Sequence, residues 1–379
     1  MHSTRRLALL APIFLSTSLF AQTPAAPATT PTPPAAGKRG GQQPAPVSPE
    51  LLEDGRVTFR LRAPGAKAVT ASGQFQKGTA TMTKDDAGVW SVTVGPVPAG
   101  VYEYSFNVDG VSMIDPGNRD IKPMRAPRTS ILEIPGTPPL LTDFQDVPHG
   151  KVTLQWYHSK SLNRRRALQV YTPPGYDAAP AARFPTMYLF HGSGDNEATW
   201  VTNGKANWIL DNLIAQKRAQ PMIVVMLDGH AVTGSGARGG NTPAFERDLL
   251  EDAMPLVVAS YRTREDAAHR AIIGLSMGGG QSLAIGLKHA DKFAWVGGMS
   301  SAAGNANSLI GDATALNKQL KLLWIACGKD DGLVTANRAF DAALTTAGVK
   351  HEWVETEGNH SWPVWRGYLA DFAPKIFKN

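Results

Sequence analysis

The sequence predicts a small β-sandwich followed by a larger α/β domain, and three patterns carry that prediction. Between about residues 50 and 135, short runs alternate apolar and polar residues with a period of two and are punctuated by Gly- and Pro-containing turns. From about residue 145 to the end, β-branched apolar runs alternate with segments of helical periodicity, the pattern of a sheet covered by helices. No window of about 18 apolar residues occurs, so no segment reads as a membrane-spanning helix. A content of 42% hydrophobic and 18% charged residues excludes a wholly disordered or coiled-coil chain. The length of 379 residues suits a large core plus something smaller.

The first element is not part of either domain. Arg5 and Arg6 precede the apolar run Leu7–Phe20 and then Ala21-Gln22, the order of a cleavable export signal over residues 1–21. Such a run reaches only about 21 Å as a helix, short of a hydrocarbon core about 30 Å thick. A lipid anchor would need a cysteine just after the cut, and the single cysteine is Cys327. The expected location is therefore secreted or periplasmic, with no membrane anchor. Residues 22–49 contain eight prolines in 28 positions, which predicts an extended linker.

Charge follows the same division. Four of the six excess positive charges, Arg5, Arg6, Lys38 and Arg39, precede the first acidic residue, Glu50, which leaves +2 on residues 50–379. That balance excludes a basic footprint for nucleic acid unless it is local, and the one dense cluster, Arg164 to Arg166, reads as a solvated strand edge. One cysteine also excludes an intrachain disulfide and a cysteine-based zinc site. No metal or organic cofactor is expected.

The sandwich, residues 50–138, is justified strand by strand. Val57, Phe59 and Leu61 share one face, as do Trp90, Val92 and Val94, and Tyr102, Tyr104, Phe106 and Val108. Turns at Pro64-Gly65, Asp86-Ala87-Gly88, Pro98-Ala99-Gly100 and Asp109-Gly110 separate them. Gly88-Val89-Trp90, Pro98 to Tyr104, Val108-Asp109-Gly110 and Asp115 to Asn118 resemble the early-set immunoglobulin-like modules related to family 48 carbohydrate-binding modules. Trp90 lies on the alternating apolar face and is expected in the core, not on a sugar platform.

In the α/β domain, residues 145–379, strands are expected at Ala167–Tyr171, Thr186–Phe190, Ile223–Leu227, Ala271–Ile273, Trp295–Met299, Leu322–Ala326 and His351–Glu355. Gly274-Leu275-Ser276-Met277-Gly278 follows one of these and precedes a helical segment. This places Ser276 on a sharp strand-to-helix turn with its hydroxyl exposed, as a nucleophile requires. A serine needs a base. Of nine histidines, His360 follows the last strand by a short loop and precedes a terminal helix. The acid that orients it is Asp331 or its neighbour Asp330 after Leu322–Ala326; Asp228 is a further alternative that breaks the order Ser, Asp, His. Oxyanion donors are expected from the backbone N–H of Met277 and from the His191-Gly192-Ser193-Gly194 loop, with Ser193 preferred over Gly194 and His191 bracing the loop.

With these residues in view, the domain resembles carbohydrate esterase family 1, the esterase D-like group of feruloyl and acetylxylan esterases. The likeness rests on Arg166 to Tyr176, Leu189 to Gly192, Gly274 to Gly279, Ala326 to Asp331 and Gly358 to Arg366. It implies an α/β-hydrolase fold, a Ser276, Asp331, His360 triad with Ser193 and Met277 as oxyanion donors, and a sandwich placed before an esterase of plant polysaccharide. The expected substrate is a feruloyl ester on arabinoxylan or its oligosaccharides, with Trp200, Trp362 and Trp365 as indole walls near the acyl group. Trp362 and Trp365 are equally placed to pack a terminal helix. Rival activities are an acetylxylan esterase, an enterochelin esterase-like hydrolase, an acyltransferase, and a glycan-binding protein with an inert catalytic domain.

Overall fold

In the computed structural model, residues 45–232, 237–304 and 306–378 are described. The expected export signal, the linker up to residue 44, and part of the Gly-rich 229–245 loop lie outside the described residues. Alternation along Val57–Arg62 buries Val57, Phe59 and Leu61, and the strand pairs antiparallel with Val89–Val94. With Glu50–Leu51 and Thr83–Lys84 these make one sheet of the sandwich. Gly100–Val108 pairs Val69–Gly73 on one side and Val111–Met113 and Ser130–Ile134 on the other, and Thr79–Thr81 completes the second sheet. Phe59 meets Tyr104 and Phe106 between them, at ring-centroid distances of 4.7 and 6.3 Å. Trp90 belongs to this core, and its indole N–H donates to the Ala63 carbonyl.

One boundary differs from expectation. The Ser48 hydroxyl donates to the buried Asp115 carboxylate at 2.6 Å, which also accepts from the Tyr104 hydroxyl, and Ser48 Oγ accepts from the Arg60 N–H. A buried carboxylate needs such donors. Residues 45–49, whose prolines suggested linker, are thus part of the sandwich.

The α/β domain is built on eight strands: β1 Lys151–Ser159, β2 Arg164–Thr172, β3 Thr186–Phe190, β4 Ile223–Leu227, β5 Arg270–Leu275, β6 Trp295–Met299, β7 Leu322–Gly328 and β8 Glu352–Thr356. Their order across the sheet is β1-β2-β4-β3-β5-β6-β7-β8, with β2 antiparallel to both its neighbours, β1 and β4, and every other pair parallel. Both faces are covered: Met187 and Leu189 of β3 enter one core, Tyr188 and Phe190 the other. Strand β1 had no clear signal because it is an edge strand whose residues are largely exposed, Leu154 and Trp156 included. The order reverses around β3, and in such sheets chemistry gathers at the carboxyl ends of the strands near that point. The loops after β3, β5, β7 and β8 all leave from that edge.

The arginine cluster is not a solvated edge throughout. Arg166 points inward, nearly fully buried, and pairs with Asp248 at 3.0 Å. Arg164 donates to the His230 carbonyl, and Arg165 stays outside over the Trp156 ring. The reason is β2's position one strand in from the edge, where the turn of helix Asp248–Ala253 covers one face.

The sandwich is fixed to the α/β domain by buried polar contacts. Arg366, on the helix Trp362–Phe372, donates to the Val101 carbonyl and the Asn203 carbonyl, both at 2.9 Å. Met124 and Asp195 form a β-bridge, the Arg125 N–H donates to the Gly194 carbonyl, and the Thr199 hydroxyl donates to the Pro123 carbonyl.

Candidate active site

Ser276 sits where β5 turns into the helix Met277–Lys288, with φ +52° and ψ −113°. A non-glycine residue holds that backbone only where its surroundings fix it. Here the Ser276 N–H donates to the Met299 carbonyl, and its own carbonyl accepts from Gly280 and Ala302. Gly274 and Gly278 allow the turn: a Cβ on Gly278 would lie 2.4 Å from the His191 carbonyl oxygen, and one on Gly274 would lie 2.5 Å from Gly278 backbone.

His360, Asp331 and Ser276 are brought together. His360 Nε2 lies 3.0 Å from Ser276 Oγ, and Nδ1 lies 2.9 and 3.0 Å from the two Asp331 carboxylate oxygens. The Asp331 side chain is fully buried and accepts the Leu333 N–H as well, while the His360 ring stays partly open to the cavity and meets the edge of Trp365. Asp330 is exposed, with its backbone N–H on the Gly358 carbonyl. Asp228 makes no contact with His360; its carboxylate receives the His230 ring and backbone N–H groups. Burial pushes the Asp228 carboxyl up, but the His191 and His230 imidazoles beside it outweigh that and hold the group well below the ordinary range. Next to the acid loop, burial and then the Asp331 charge raise the Cys327 thiol to about 12, so it is no nucleophile at neutral pH.

The oxyanion loop is braced from behind. His191 donates from Nδ1 to the Gly192 carbonyl at 2.7 Å and accepts the Gly229 N–H on Nε2 at 2.9 Å. His230 Nε2 accepts the Gly194 N–H at 3.2 Å. Gly194 is therefore committed, whereas the Ser193 N–H has no partner among the described residues. Met277 opens its helix, so its N–H lies outside the helical ladder. The cluster His191, Asp228, His230 has the residue types of a metal site. Its imidazole nitrogens already serve these backbone and carboxylate partners, and a metal would have to displace them.

A cavity of about 400 Å³ opens over Ser276 and His360. Trp362 and Trp365 line it, yet both are core residues, 1% and 6% exposed, and the Trp365 indole donates to Ser300 Oγ. Trp200 departs from expectation. It is fully buried beneath the sheet, its N–H donates to the Phe190 carbonyl, and its ring stands edge-on to Trp362 behind the cavity wall. The short helix Thr199–Thr202 that carries it packs against the core, so the indole faces away from solvent.

The opposite wall was not foreseen: it comes from the sandwich. Glu103, Lys122, Met124, Arg128 and Thr129 line the same cavity. Lys122 Nζ is buried between Glu103 at 3.2 Å and Asp195 at 3.1 Å and lies 5.6 Å from the Trp362 ring centroid. Asp195 is raised by burial and lowered by Lys122. The only sequence signal was the run Lys122 to Arg128, which is basic, interrupted by prolines and outside any strand; nothing in it says which surface it covers. Lys122→Met keeps the volume but leaves the buried Asp195 and the largely buried Glu103 without their cation, and is expected to destabilise the protein by about 3 kcal/mol. Urea unfolding measures this, and a loss below about 0.5 kcal/mol, the range of an exposed pair, would show that the ion cluster is not desolvated.

Comparison with known proteins bears on the family and the fold. The family described as "Putative esterase" matches residues 159–376, and "Carbohydrate-binding module 48 (Isoamylase N-terminal domain)" matches residues 45–122. The chain is 32% identical over 348 residues, 89% of its length, to an endo-1,4-beta-xylanase/feruloyl esterase of Xylanibacter ruminicola, and spans 47% of that relative. Among solved structures, a ferulic acid esterase aligns with a TM-score of 0.55 at 26% identity, covering 60% of this chain and 97% of the other. An enterobactin esterase of Shigella flexneri aligns with a TM-score of 0.63 at 19% identity, covering 84% and 92%, which speaks to the fold alone.

Proposed function

Since the chain belongs to the esterase family whose model spans residues 159–376, we propose that it is a serine carboxylesterase acting outside the cytoplasm on feruloyl esters of arabinoxylan-type polysaccharide. The observation that carries the reading is the unbroken hydrogen-bonded series Ser276, His360, Asp331 at the floor of a cavity with two indole walls. Ser276 Oγ attacks the ester carbonyl as His360 Nε2 takes its proton. Asp331 holds the ring with Nδ1–H turned toward it and stabilises the imidazolium. The N–H groups of Ser193 and Met277 receive the developing oxyanion. Collapse expels the sugar alcohol, which takes the proton from His360, and water then repeats the sequence on the acyl-enzyme. Transfer to a second sugar in place of water would leave acylated acceptor among the products.

The feruloyl choice is supported by the named relative and by the walls. Burying an aromatic ring gains roughly 25 cal/mol per Å² of apolar area, and acetate gains almost none of this. Methyl ferulate is therefore expected to exceed a matched acetate ester in kcat/KM. Because Trp362 is too deep to remove cleanly, the wall is better tested at Met124, which is half-buried and faces the cavity. Met124→Ala is expected to lower the methyl ferulate value about tenfold, from some 50 Å² of lost contact, and the acetate value by less than twofold. Equal losses on both esters would favour a general or acetylxylan esterase. Arg128, exposed on the cavity wall, favours a second reading, since a catechol ester of a siderophore brings more acidic hydroxyls than a ferulate; a catechol triester in the same screen separates them.

A further inference from the structure

We propose that a second cavity, on the far side of the oxyanion loop from Ser276, is a subsite for the carboxylate of a uronic acid carried by the same polysaccharide, with Trp156 as the platform for its ring. The proposal rests on the polysaccharide-esterase reading and names a further feature of the substrate. The cavity holds about 320 Å³ and is lined by Arg125, Trp156, Arg164, Arg165, Glu197 and His230, among others. That volume falls within the roughly 300–1,000 Å³ of small-ligand sites.

Two properties of the lining point to an anionic sugar. Arg125, Arg164 and Arg165 converge there, and none has a carboxylate partner within 4.0 Å among the described residues. Arg166, behind them, is neutralised by Asp248. Burial, then the Arg166 charge, pushes Arg164 below the usual arginine range, a cost that a bound anion would offset. Two acidic side chains share the wall without cancelling it. Asp228 turns an oxygen to His230, and the Glu197 carboxyl, with no ion-pair partner among the described residues, can accept from sugar hydroxyls. Planar guanidinium groups bind a carboxylate in paired hydrogen bonds, which selects a flat acid over a lone halide. Beside them Trp156, 58% exposed on an edge strand, offers a ring surface that its fold does not need, held by the Arg165 guanidinium 5.1 Å from its centroid.

The position ties this cavity to the chemistry. Met124 lines the Ser276 cavity and its neighbour Arg125 lines the arginine cavity, on a segment paired with Gly194 and Asp195. His230, which lines the arginine cavity, holds the Gly194 N–H. The two cavities thus lie on either side of one short ladder.

The test uses the full chain carrying Ser276→Ala, titrated calorimetrically with a xylo-oligosaccharide bearing one glucuronic acid branch, with the unbranched oligosaccharide of the same length, and with sodium sulfate. The acidic oligosaccharide is expected to bind about tenfold more tightly than the neutral one. Arg165→Gln or Trp156→Ala should abolish that preference, and the same substitutions in the active enzyme should leave methyl ferulate turnover unchanged. Equal binding of acidic and neutral oligosaccharides would overturn the subsite, as would sulfate binding as tightly as the uronic acid. Since titration needs no ester, a protein that prefers the acid but turns over no ferulate keeps the subsite and loses the acyl assignment. One that turns over ferulate without the preference loses the subsite alone.

Discussion

Ser276→Ala is expected to lower kcat on methyl ferulate by about 10⁶, with the residual rate coming from binding and the oxyanion donors. The size follows from how the side chain is used. Oγ is both the atom that forms the covalent bond and the group from which His360 Nε2, 3.0 Å away, withdraws the proton. Deleting it removes the acyl-enzyme route entirely, and water must then attack the ester directly, with no nucleophile held in place against His360 Nε2. The fold should not register the change. The Ser276 backbone is held by Met299, Gly280 and Ala302, none of which touches the hydroxyl, and alanine meets the same φ of +52° with the same Cβ. Urea unfolding is therefore expected to shift by less than about 1 kcal/mol, the ordinary range for a change away from packing and buried charge. A mutant that keeps a tenth of the parent rate would show that the reaction does not pass through this serine.

The positions of Ser276 and His360 were legible because their signals are local. A β-branched strand, a glycine on each side of a serine and a helix specify a turn that long-range packing can only accept. The fold class follows for the same reason: each strand of the parallel sheet, buried on both faces, is a short apolar run bounded by turn residues. Sequence was silent where the partner is distant. Lys122 reads as a loop cation until Asp195 and Glu103 close on it from two domains, and Arg366 reads as a helix-surface residue until Val101 arrives from the sandwich. Trp200 was misplaced for a related reason: proximity to the oxyanion loop along the chain does not say which side of the sheet the indole takes. The edge strand β1 escaped because alternation needs one buried face, and most of its residues have none.

Asp331→Asn is expected to cost about 10⁴ in kcat, and Asp330→Asn less than about threefold. The two residues are adjacent, and their environments set the difference. The Asp331 carboxylate is buried, with both oxygens on His360 Nδ1 and one also on the Leu333 N–H. Those contacts demand that Nδ1 carry the proton, which leaves Nε2 free to accept from Ser276. An asparagine amide in the same place can turn its NH₂ toward Nδ1, so the ring proton moves to Nε2. The imidazole then faces Ser276 with a donor where an acceptor is needed. Stabilisation of the imidazolium in the transition state is lost as well, since no charge remains beside it. The Asp330 side chain lies in solvent, and only its backbone N–H is used, on the Gly358 carbonyl, a contact that an amide side chain preserves. Rates for the two variants on methyl ferulate, read beside their unfolding curves, separate the roles. An inactive Asp330→Asn with an active Asp331→Asn would mean that the acid loop presents the other carboxylate during turnover, and that the His360 orientation seen here is not the working one.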